Sequence, residues 1–293
     1  GHAIAYDSAR GVTVLFGGYD HISGSSGFRS DTWEWDGVDW TMRSTASPSA
    51  RAWHVMAYDD ARGVVVLFGG GTYYAGIYGD TWEWDGTTWT LRSTTGPSPR
   101  VSHAMVYDSI RRVSVLFGGG TDTDNPAQSI RNSETWEWDG LTWTLRSVDG
   151  PSSREGHAMA FDTARGVTVL FGGRGGPVAQ FDVKSDTWEW NGTSWALRSD
   201  GIPCARGGHS MAYHGAIQRT ILFSGYSNYG YLVDTWQWDG NIWRLRSGTG
   251  PSQRSGSSMA YDVARDTTVL FGGFANGPDG ETWELSELAV CDT

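Results

Sequence analysis

One segment recurs along the whole chain, at intervals of 52, 49, 54, 52 and 48 residues between equivalent aromatic positions. Those positions are Tyr6, Tyr58, Tyr107, Phe161, Tyr213 and Tyr261. A period of roughly 50 residues is typical of repeat proteins, in which each unit is a supersecondary element that cannot bury its apolar face alone. The repeat therefore limits the fold to an array of equivalent units that bury a core between neighbours.

Each unit contains four short segments that are typical of β-strands. The first alternates side chains, as in residues 54–58, and the second is continuously apolar, as in residues 64–68, which predicts a strand buried on both faces. The third, residues 81–84, puts its two Trp on one face and its Glu on the other, because Cβ direction alternates along a strand. The fourth follows at residues 89–93. No segment has a sustained helical period, so we predict four-stranded, all-β units.

These segments resemble a kelch-repeat β-propeller of the bacterial kelch or galactose-oxidase-like type. Five second strands end in a glycine pair, at Gly17-Gly18, Gly69-Gly70, Gly118-Gly119, Gly172-Gly173 and Gly272-Gly273, and Ser224-Gly225 replaces the pair in the fifth unit. The resemblance covers essentially the whole chain. It implies one all-β domain over residues 1–293, a six-bladed propeller with four antiparallel strands per blade. The repeats would span approximately 1–50, 51–99, 100–153, 154–205, 206–253 and 254–293.

The sixth unit departs from this pattern and is predicted to be irregular. It has Trp283 in the third strand, but no Trp-x-Leu-Arg-Ser segment follows. Either residues 288–291, which are apolar, form a degenerate fourth strand, or residues upstream of Gly1 complete the blade. We favour the first alternative. Because the chain begins at Gly1 without Met or an apolar signal segment, we expect it to be a processed or excised form.

Composition excludes two function classes. A net charge of −11 argues against nucleic-acid binding, which needs clustered Lys and Arg. The longest apolar runs are far shorter than the roughly 20 residues of a membrane-spanning helix, so no membrane span is expected. The two cysteines, Cys204 and Cys291, flank the junction of the fifth and sixth units. A disulfide between them would indicate an extracellular or periplasmic location; the alternative is two isolated thiols.

The repeat also provides an internal control for the 17 Trp residues. Three in each of the first five units, together with Trp283, occupy equivalent positions, so we predict that these are scaffold. Trp53 alone is different, because the matching positions carry Gly1, Ser102, Gly156, Gly208 and Gly256.

The remaining aromatic residues that do not repeat lie in the connections between second and third strands. They are Tyr19, Phe28, Tyr73, Tyr74, Tyr78, Phe181, Tyr226, Tyr229, Tyr231 and Phe274. In an up-and-down blade these connections share a face with the link that contains Trp53. Variable aromatic loops on a repetitive scaffold are typical of a binding surface. We therefore predict that this face binds a glycan, or a peptide or protein partner, with Arg51 and Arg100 as charged donors; the alternative is that the aromatics pack on each other.

Several repeated polar residues have simpler interpretations. Glu34 on the third strand and Arg43 on the fourth predict a cross-strand ion pair that recurs in other blades, and Asp7 and its equivalents predict turn caps. Five Arg residues are predicted to surround the channel mouth, with some of them available to a ligand: Arg51, Arg100, Arg154, Arg206 and Arg254.

Metal sites and an enzymatic function are the weaker alternatives. One equivalent position carries His2, His54, His103, His157 and His209. Imidazoles around the axis suit Zn, Cu, Fe or Ni. The presence of one His per blade fits better with a structural role, in which each imidazole hydrogen-bonds the backbone of the neighbouring blade. Asp122 and Asp124 alternate as Ca²⁺ ligands do, in an incomplete ligand frame. No cofactor is predicted, and a metal-dependent, oxidase-like kelch enzyme with its site at the channel mouth remains the alternative, although neither Cys matches the Tyr–Cys motif of the copper oxidases.

Overall fold

The computed structural model describes residues 1–20, 27–45, 47–73, 75–121, 130–176, 182–247, 250–275, 277 and 279–285. In this part of the chain six antiparallel sheets follow one another, five with four strands and the last with three. The innermost strand of each sheet contacts the innermost strands of the neighbouring sheets, and the first sheet contacts the sixth. The prediction of an all-β propeller with four-stranded antiparallel blades is confirmed, and the six sheets close into a ring.

The strands of the blades follow the repeat. The first, innermost strands are Ala3–Asp7, Val55–Asp59, Ala104–Asp108, Ala158–Asp162, Ser210–His214 and Ser258–Asp262. The second strands are Val12–Tyr19, Val64–Phe68, Val113–Phe117, Val167–Phe171, Arg219–Phe223 and Thr267–Phe271. The third strands are Phe28–Trp35, Thr81–Trp84, Thr135–Trp138, Thr187–Trp190, Thr235–Trp238 and Thr282–Leu285. The fourth, outermost strands are Trp40–Ser44, Trp89–Ser93, Trp143–Ser147, Trp195–Ser199 and Trp243–Ser247.

The apolar core lies between neighbouring blades. Phe16 and Ala5 of the first blade pack with Met56, Leu67 and Trp89 of the second in one buried cluster. The second strands are buried because a blade covers each of their faces, as their continuously apolar sequences predict. The structure thus explains why the repeat needs neighbours: each unit supplies half of two cores.

Two Trp side chains of each complete blade donate hydrogen bonds to the preceding blade. Trp84 Nε1 donates to Glu34 Oε1 at 3.3 Å, and Trp89 Nε1 donates to Thr32 Oγ1 at 2.9 Å. The same two bonds close the ring, from Trp35 to Glu284 and from Trp40 to Thr282. The repeated Trp residues therefore act as scaffold between blades.

The repeated charges also form structural networks. Arg43 Nε donates to Glu34 Oε2 at 2.7 Å across the third and fourth strands, and Arg10 bonds the same carboxylate from the first turn. Asp7 Oδ1 accepts the backbone N–H groups of Ala9 and Arg10, each at 3.1 Å. The predicted cross-strand ion pairs and turn caps are confirmed.

The glycine pairs are required by the close approach of the next blade. Gly69 has a φ of 68°, and a Cβ there would lie 2.8 Å from the carbonyl oxygen of Arg100. Gly70 donates its N–H to that same oxygen at 3.0 Å. A side chain at Gly69 would separate the second blade from the entry to the third.

The sixth blade ends, among the described residues, at the third strand Thr282–Leu285. Residues 288–291, which were predicted to form its fourth strand, lie outside the described residues. Leu285 replaces the Trp found in the other blades, and Trp283 is 39% exposed. In the described part of the chain no helix is long and apolar enough to cross a membrane.

Candidate functional site

The variable connections and the links between blades lie on one face, as predicted, because they pair with each other. Ala52 bridges Gly71, Gly207 bridges Tyr226 and Ser255 bridges Phe274. Short added strands extend this pairing: Gly71–Thr72 with Gly76–Ile77, Arg154–Glu155 with Arg174–Gly175 and Asp182–Val183, and Tyr226–Ser227 with Gly230–Tyr231. We call this side the loop face. The opposite side, formed by the repetitive turns that follow the first and third strands, is the turn face.

Six residues meet around the axis on the loop face and are joined by backbone hydrogen bonds. The Trp53 N–H donates to the Gly1 carbonyl at 2.7 Å, and equivalent bonds of 2.8–3.0 Å continue from blade to blade. We call these residues the mouth ring: Gly1, Trp53, Ser102, Gly156, Gly208 and Gly256. Trp53 and Ser102 have φ angles of 58° and 55°, which residues other than Gly rarely adopt. Strain of this kind often accompanies functional positions.

A central channel of about 590 Å³ lies inside the inner strands. Its lining extends from the repeated His positions next to the mouth ring to the repeated Tyr positions at the turn face. Small side chains such as Ala5, Ala57 and Ala160 form much of its wall. The channel is thus built entirely from the repeat, whereas the surface above the mouth ring is not.

Four aromatic residues that do not repeat form one cluster beside the mouth ring, between the first and second blades. Tyr19 and Phe28 are paired across a hairpin with ring centroids 4.9 Å apart. Tyr73 contacts Phe28 at 5.3 Å and Trp53 at 5.4 Å. We call Tyr19, Phe28, Trp53 and Tyr73 the aromatic wall. Its rings pack mainly edge to face, and Tyr73 remains 40% exposed, so the wall is both packed and accessible.

A second cluster, between the third and fifth blades, is charged. Arg131 Nη2 and Arg174 Nη2 both donate to Glu155 Oε1, at 3.1 Å and 2.7 Å. Tyr226 lies beside them, and burial raises the pKa of its phenol, on which the charges of Arg174, Glu155 and Arg131 also act. We call Arg131, Glu155, Arg174 and Tyr226 the charged wall.

The two walls stand on opposite sides of the mouth ring. Trp53 and Gly208 are three positions apart in a ring of six. The Tyr226 ring lies over Gly208, where an added Cβ would approach it to 3.1 Å. Glu155 immediately precedes the ring residue Gly156. A ligand above the mouth ring would therefore meet aromatic rings on one side and guanidinium groups on the other.

Residues 110–293 match the KLHDC2/KLHL20/DRC7 Kelch-repeats domain, which is more than half of the chain. The chain belongs to the kelch-repeat family. The solved structure of YjhT covers 99% of this kelch propeller and is itself covered to 95%, with a TM-score of 0.77 and 14% sequence identity. That likeness shows the fold. A search among curated proteins finds no match.

The kelch entry arginines are not ligand contacts, and the prediction for Arg51 and Arg100 is corrected. Arg51 is 1% exposed, and its guanidinium group donates to both carboxylate oxygens of Asp80, at 2.7 Å and 2.9 Å. Arg100 is fully buried and donates to Glu134 at 2.7 Å. The equivalent Arg154, Arg206 and Arg254 are equally buried. These Arg side chains join the link that enters a blade to the connection before the third strand of the same blade, and they have no exposed surface to offer a ligand.

The repeated histidines do not form a metal ring, because their imidazoles point into the preceding blade. His157 Nε2 donates to the Phe117 carbonyl at 3.2 Å, and His2 Nε2 donates to the Phe271 carbonyl at 3.1 Å. His54, His103 and His209 each pack edge-on against the equivalent Phe. Burial lowers the pKa of His2 and His157 to about 3, so both are neutral. The predicted alternative, a hydrogen bond to the neighbouring blade, is confirmed for these two.

The other predicted loop residues are scattered over the loop face. Tyr78 packs against the buried ion pair of Arg51 and Asp80, with its ring centroid 4.3 Å from the Arg51 guanidinium carbon. Tyr229 is completely exposed at a hairpin tip, and Phe274 is 41% exposed. Tyr231 is half-buried near Tyr226. Tyr74 and Phe181 lie outside the described residues, as do Asp122, Asp124 and Cys291.

The predictions of a disulfide and of a Ca²⁺ site are therefore not tested, because each involves residues outside the described part of the chain. Cys204 is exposed, and its Sγ accepts a hydrogen bond from Arg206 Nη2 at 3.2 Å. The disulfide with Cys291 stays a prediction, as does a Ca²⁺ site at Asp122 and Asp124. Over the residues that the structure describes, no three His, Cys, Asp or Glu side chains are placed to hold a metal ion.

Sequence reasoning missed the charged wall, although a signal was present. Glu155 occupies a position that carries Ala52, Val101, Gly207 and Ser255 in other blades, and Arg174 occupies one that carries Gly71 and Gly120. Comparing charges between repeats, as was done for Trp, would have singled out both residues. Their meeting with Arg131 depends on loop conformations that the repeat does not encode.

Proposed function

We propose that this kelch propeller is a non-catalytic binding module that holds an extended segment of a protein partner across the mouth ring. The kelch fold suggests an interaction module, since these propellers present loops from a rigid scaffold. The observation that carries the proposal is that two clusters absent from the repeat, the aromatic wall and the charged wall, stand on opposite sides of one ring.

The aromatic wall has the properties of an interface anchor. Its members contact one another at 4.9–5.9 Å, so their positions are fixed before a ligand binds, which limits the entropy lost on association. Large aromatic side chains and Arg are enriched among residues that dominate binding energy. Trp53 adds an indole where the mouth ring elsewhere carries Gly or Ser.

A peptide-display library selected on the purified protein tests this function. Peptides should be recovered, and Trp53→Ala or Tyr73→Ala should weaken each by more than about 1 kcal/mol, the threshold of a meaningful contact. Leu141→Ala is the matched control, because this residue is 84% exposed on the turn face and should leave binding unchanged.

Two outcomes would contradict the proposal. Recovery of peptides whose affinity is insensitive to Trp53 and Tyr73 would place the site elsewhere. Failure of the library, with binding of a glycan array instead, would assign the aromatic wall to sugar stacking rather than to a protein partner.

A further inference from the structure

Hydrogen-bond donors outnumber acceptors in the charged wall. Glu155 Oε1 accepts three N–H bonds, two from Arg174 at 2.7 Å and 3.1 Å and one from Arg131 at 3.1 Å. Arg131 Nη1 donates to the Gly176 carbonyl at 2.7 Å. The Nε–H of Arg131 has no partner among the described residues, although the side chain is only 4% exposed. A buried donor of a charged group without an acceptor is unfavourable and calls for one.

The charges are equally unbalanced. Two guanidinium groups, which stay protonated, face a single carboxylate, Glu155, and both Arg131 and Glu155 are almost completely buried. Asp182, on the hairpin next to Arg174, is paired with Lys184 at 2.6 Å. Among the described residues, the cluster therefore carries one positive charge more than its carboxylates compensate, in a protein whose net charge is −11. Isolated charge at a partly dry site is costly unless an anion approaches.

The scaffold does not need this cluster. The second and third blades build the same pairing between link and loop with Ala52 opposite Gly71 and Val101 opposite Gly120. In the fourth blade Glu155 and Arg174 occupy those positions and pair in the same way. The backbone geometry is thus independent of the charges, and an explanation other than folding is required for them.

We propose that the charged wall binds a carboxylate of the partner segment, a deepening that rests on the function proposed above. One surplus positive charge matches a monoanion, and the planar fork of an Arg side chain fits the two oxygens of a carboxylate. Arg174 is the donor at the surface, since its side chain is 23% exposed. The buried Arg131 Nε and the Tyr226 hydroxyl donate once the carboxylate enters the cluster. The aromatic wall across the mouth ring would then hold an apolar side chain of the same segment. The carboxylate can come from an acidic side chain or from a chain terminus.

The first experiment uses acetate as a probe of the intact protein. Acetate titrated against chloride at constant ionic strength should shift the Arg131 Nε–H resonance in a ¹H–¹⁵N spectrum and raise the melting temperature, because a ligand of the native state stabilises it. Sulfate, a dianion, should act more weakly. Glu155→Gln removes the internal carboxylate and should strengthen the acetate response; Arg174→Gln should abolish it.

Tyr226→Phe is a conservative variant that tests the same site if the charge-changing variants fold poorly. It removes one hydroxyl at a position where the ring lies over Gly208, and it should weaken the acetate response while circular dichroism and the melting temperature in chloride stay unchanged. If neither the wild type nor Glu155→Gln distinguishes acetate from chloride, the charged wall is a structural ion-pair cluster and the inference is wrong.

The second experiment separates this inference from the proposed function. Each selected peptide is compared with forms in which Glu or Asp is replaced by its amide, or the C-terminus is amidated, which distinguishes the two sources. Removal of the carboxylate that occupies the charged wall should weaken binding to the wild type roughly ten- to a hundredfold, the value of a charge-assisted hydrogen bond. The same change in the peptide should have little effect on its binding to the Arg174→Gln variant. Peptides that depend on Trp53 but on no carboxylate would overturn the inference alone; an acetate response without any peptide ligand would overturn the proposed function alone.

Discussion

The interface between the first and second blades and the interface between the fifth and sixth use the same positions for different chemistry. At the first, the buried Glu34 carboxylate accepts bonds from Arg10 and Arg43 of its own blade and from Trp84 of the next. At the second, Gln237 takes the position of Glu34.

Two of the three donors to that carboxylate change together with it, whereas Arg246 keeps the position of Arg43. Ile217 replaces the Arg of the first turn, and Leu285 replaces the Trp of the next blade. His214 replaces the turn Asp, and its ring lies on Tyr261 with centroids 4.6 Å apart. Replacing the first-turn Arg and the Trp together with the carboxylate avoids the unpaired buried groups that a single replacement would leave. The comparison teaches that the repeat encodes interfaces between blades rather than separate blades.

The largest effect is expected for Trp89→Ala at the intact interface. Trp89 is 6% exposed, packs on Phe16 at 5.2 Å and bonds Thr32. Its truncation should lower the free energy of unfolding by about 3–5 kcal/mol, the usual loss for a large buried aromatic. Guanidinium unfolding followed by Trp fluorescence measures this. A loss of unfolding free energy smaller than that of a variant at an exposed position, such as Leu91→Ala, would show that Trp89 does not stabilise the interface between blades.

A smaller effect is expected for Glu34→Gln. The amide keeps the shape but removes the charge that Arg10, Arg43 and Trp84 address, so stability should fall by about 2 kcal/mol, as for a hydrogen bond to a charged group. The reverse change, Gln237→Glu, is the matched control: residue 237 is only half-buried and Arg246 remains to pair with the new carboxylate, so stability should change by less than about 0.5 kcal/mol. Equal effects of the two variants would show that the interfaces do not differ.

Alkaline pH distinguishes the interfaces through their tyrosines. Burial, and then the Asp7 carboxylate, raise the pKa of Tyr58 to about 12 from an ordinary value of 10. An acid whose folded pKa is raised contributes stability that is complete below the unfolded pKa and is lost as pH rises through the folded one. Stability should therefore fall between pH 10 and about 12, and less steeply in Tyr58→Phe. The fourth blade, where Phe161 occupies this position, is a natural control: Phe161→Tyr should steepen the fall.

The fold could be predicted because its determinants repeat. The strands, the Trp bonds and the ion pairs follow from periodicity, since a pattern that occurs in five or six units identifies the scaffold. The departures from the pattern are less predictable. Leu285 and Gln237 each occur in one unit, so comparison of the repeats shows that they differ but not what they contact.

The candidate site could be predicted only in part. Comparison of the repeats placed Tyr19, Phe28, Trp53 and Tyr73 on one face with seven other aromatics, but it did not show that these four form one cluster. The alternative that they pack on each other is confirmed for the four, whereas ligand binding by this face stays a prediction. Arg51 and Arg100 were assigned wrongly, since sequence places them at the mouth but does not show that Asp80 and Glu134 bury them. The charged wall depends on three loops meeting, which no local pattern encodes.

The smallest effect on stability is expected for Trp53→Gly, because Trp53 is not predicted to be a scaffold residue. The backbone bonds of the mouth ring join each blade to the next from the first to the sixth, yet these positions accept Trp, Ser or Gly, so the Trp53 side chain should be dispensable for folding. Glycine keeps the backbone bond to Gly1 and relieves the positive φ, worth about 1 kcal/mol. That gain offsets part of the loss of the edge-on contact with Phe28 and the tilted contact with Tyr73, roughly 0.5–1.5 kcal/mol per pair. The unfolding free energy should thus fall by about 1 kcal/mol, and by no more than about 2 kcal/mol, whereas Trp89→Gly should be at least as damaging as Trp89→Ala. A Trp53→Gly protein as unstable as the Trp89 variants would make Trp53 a scaffold residue, and the aromatic wall would lose its argument for binding.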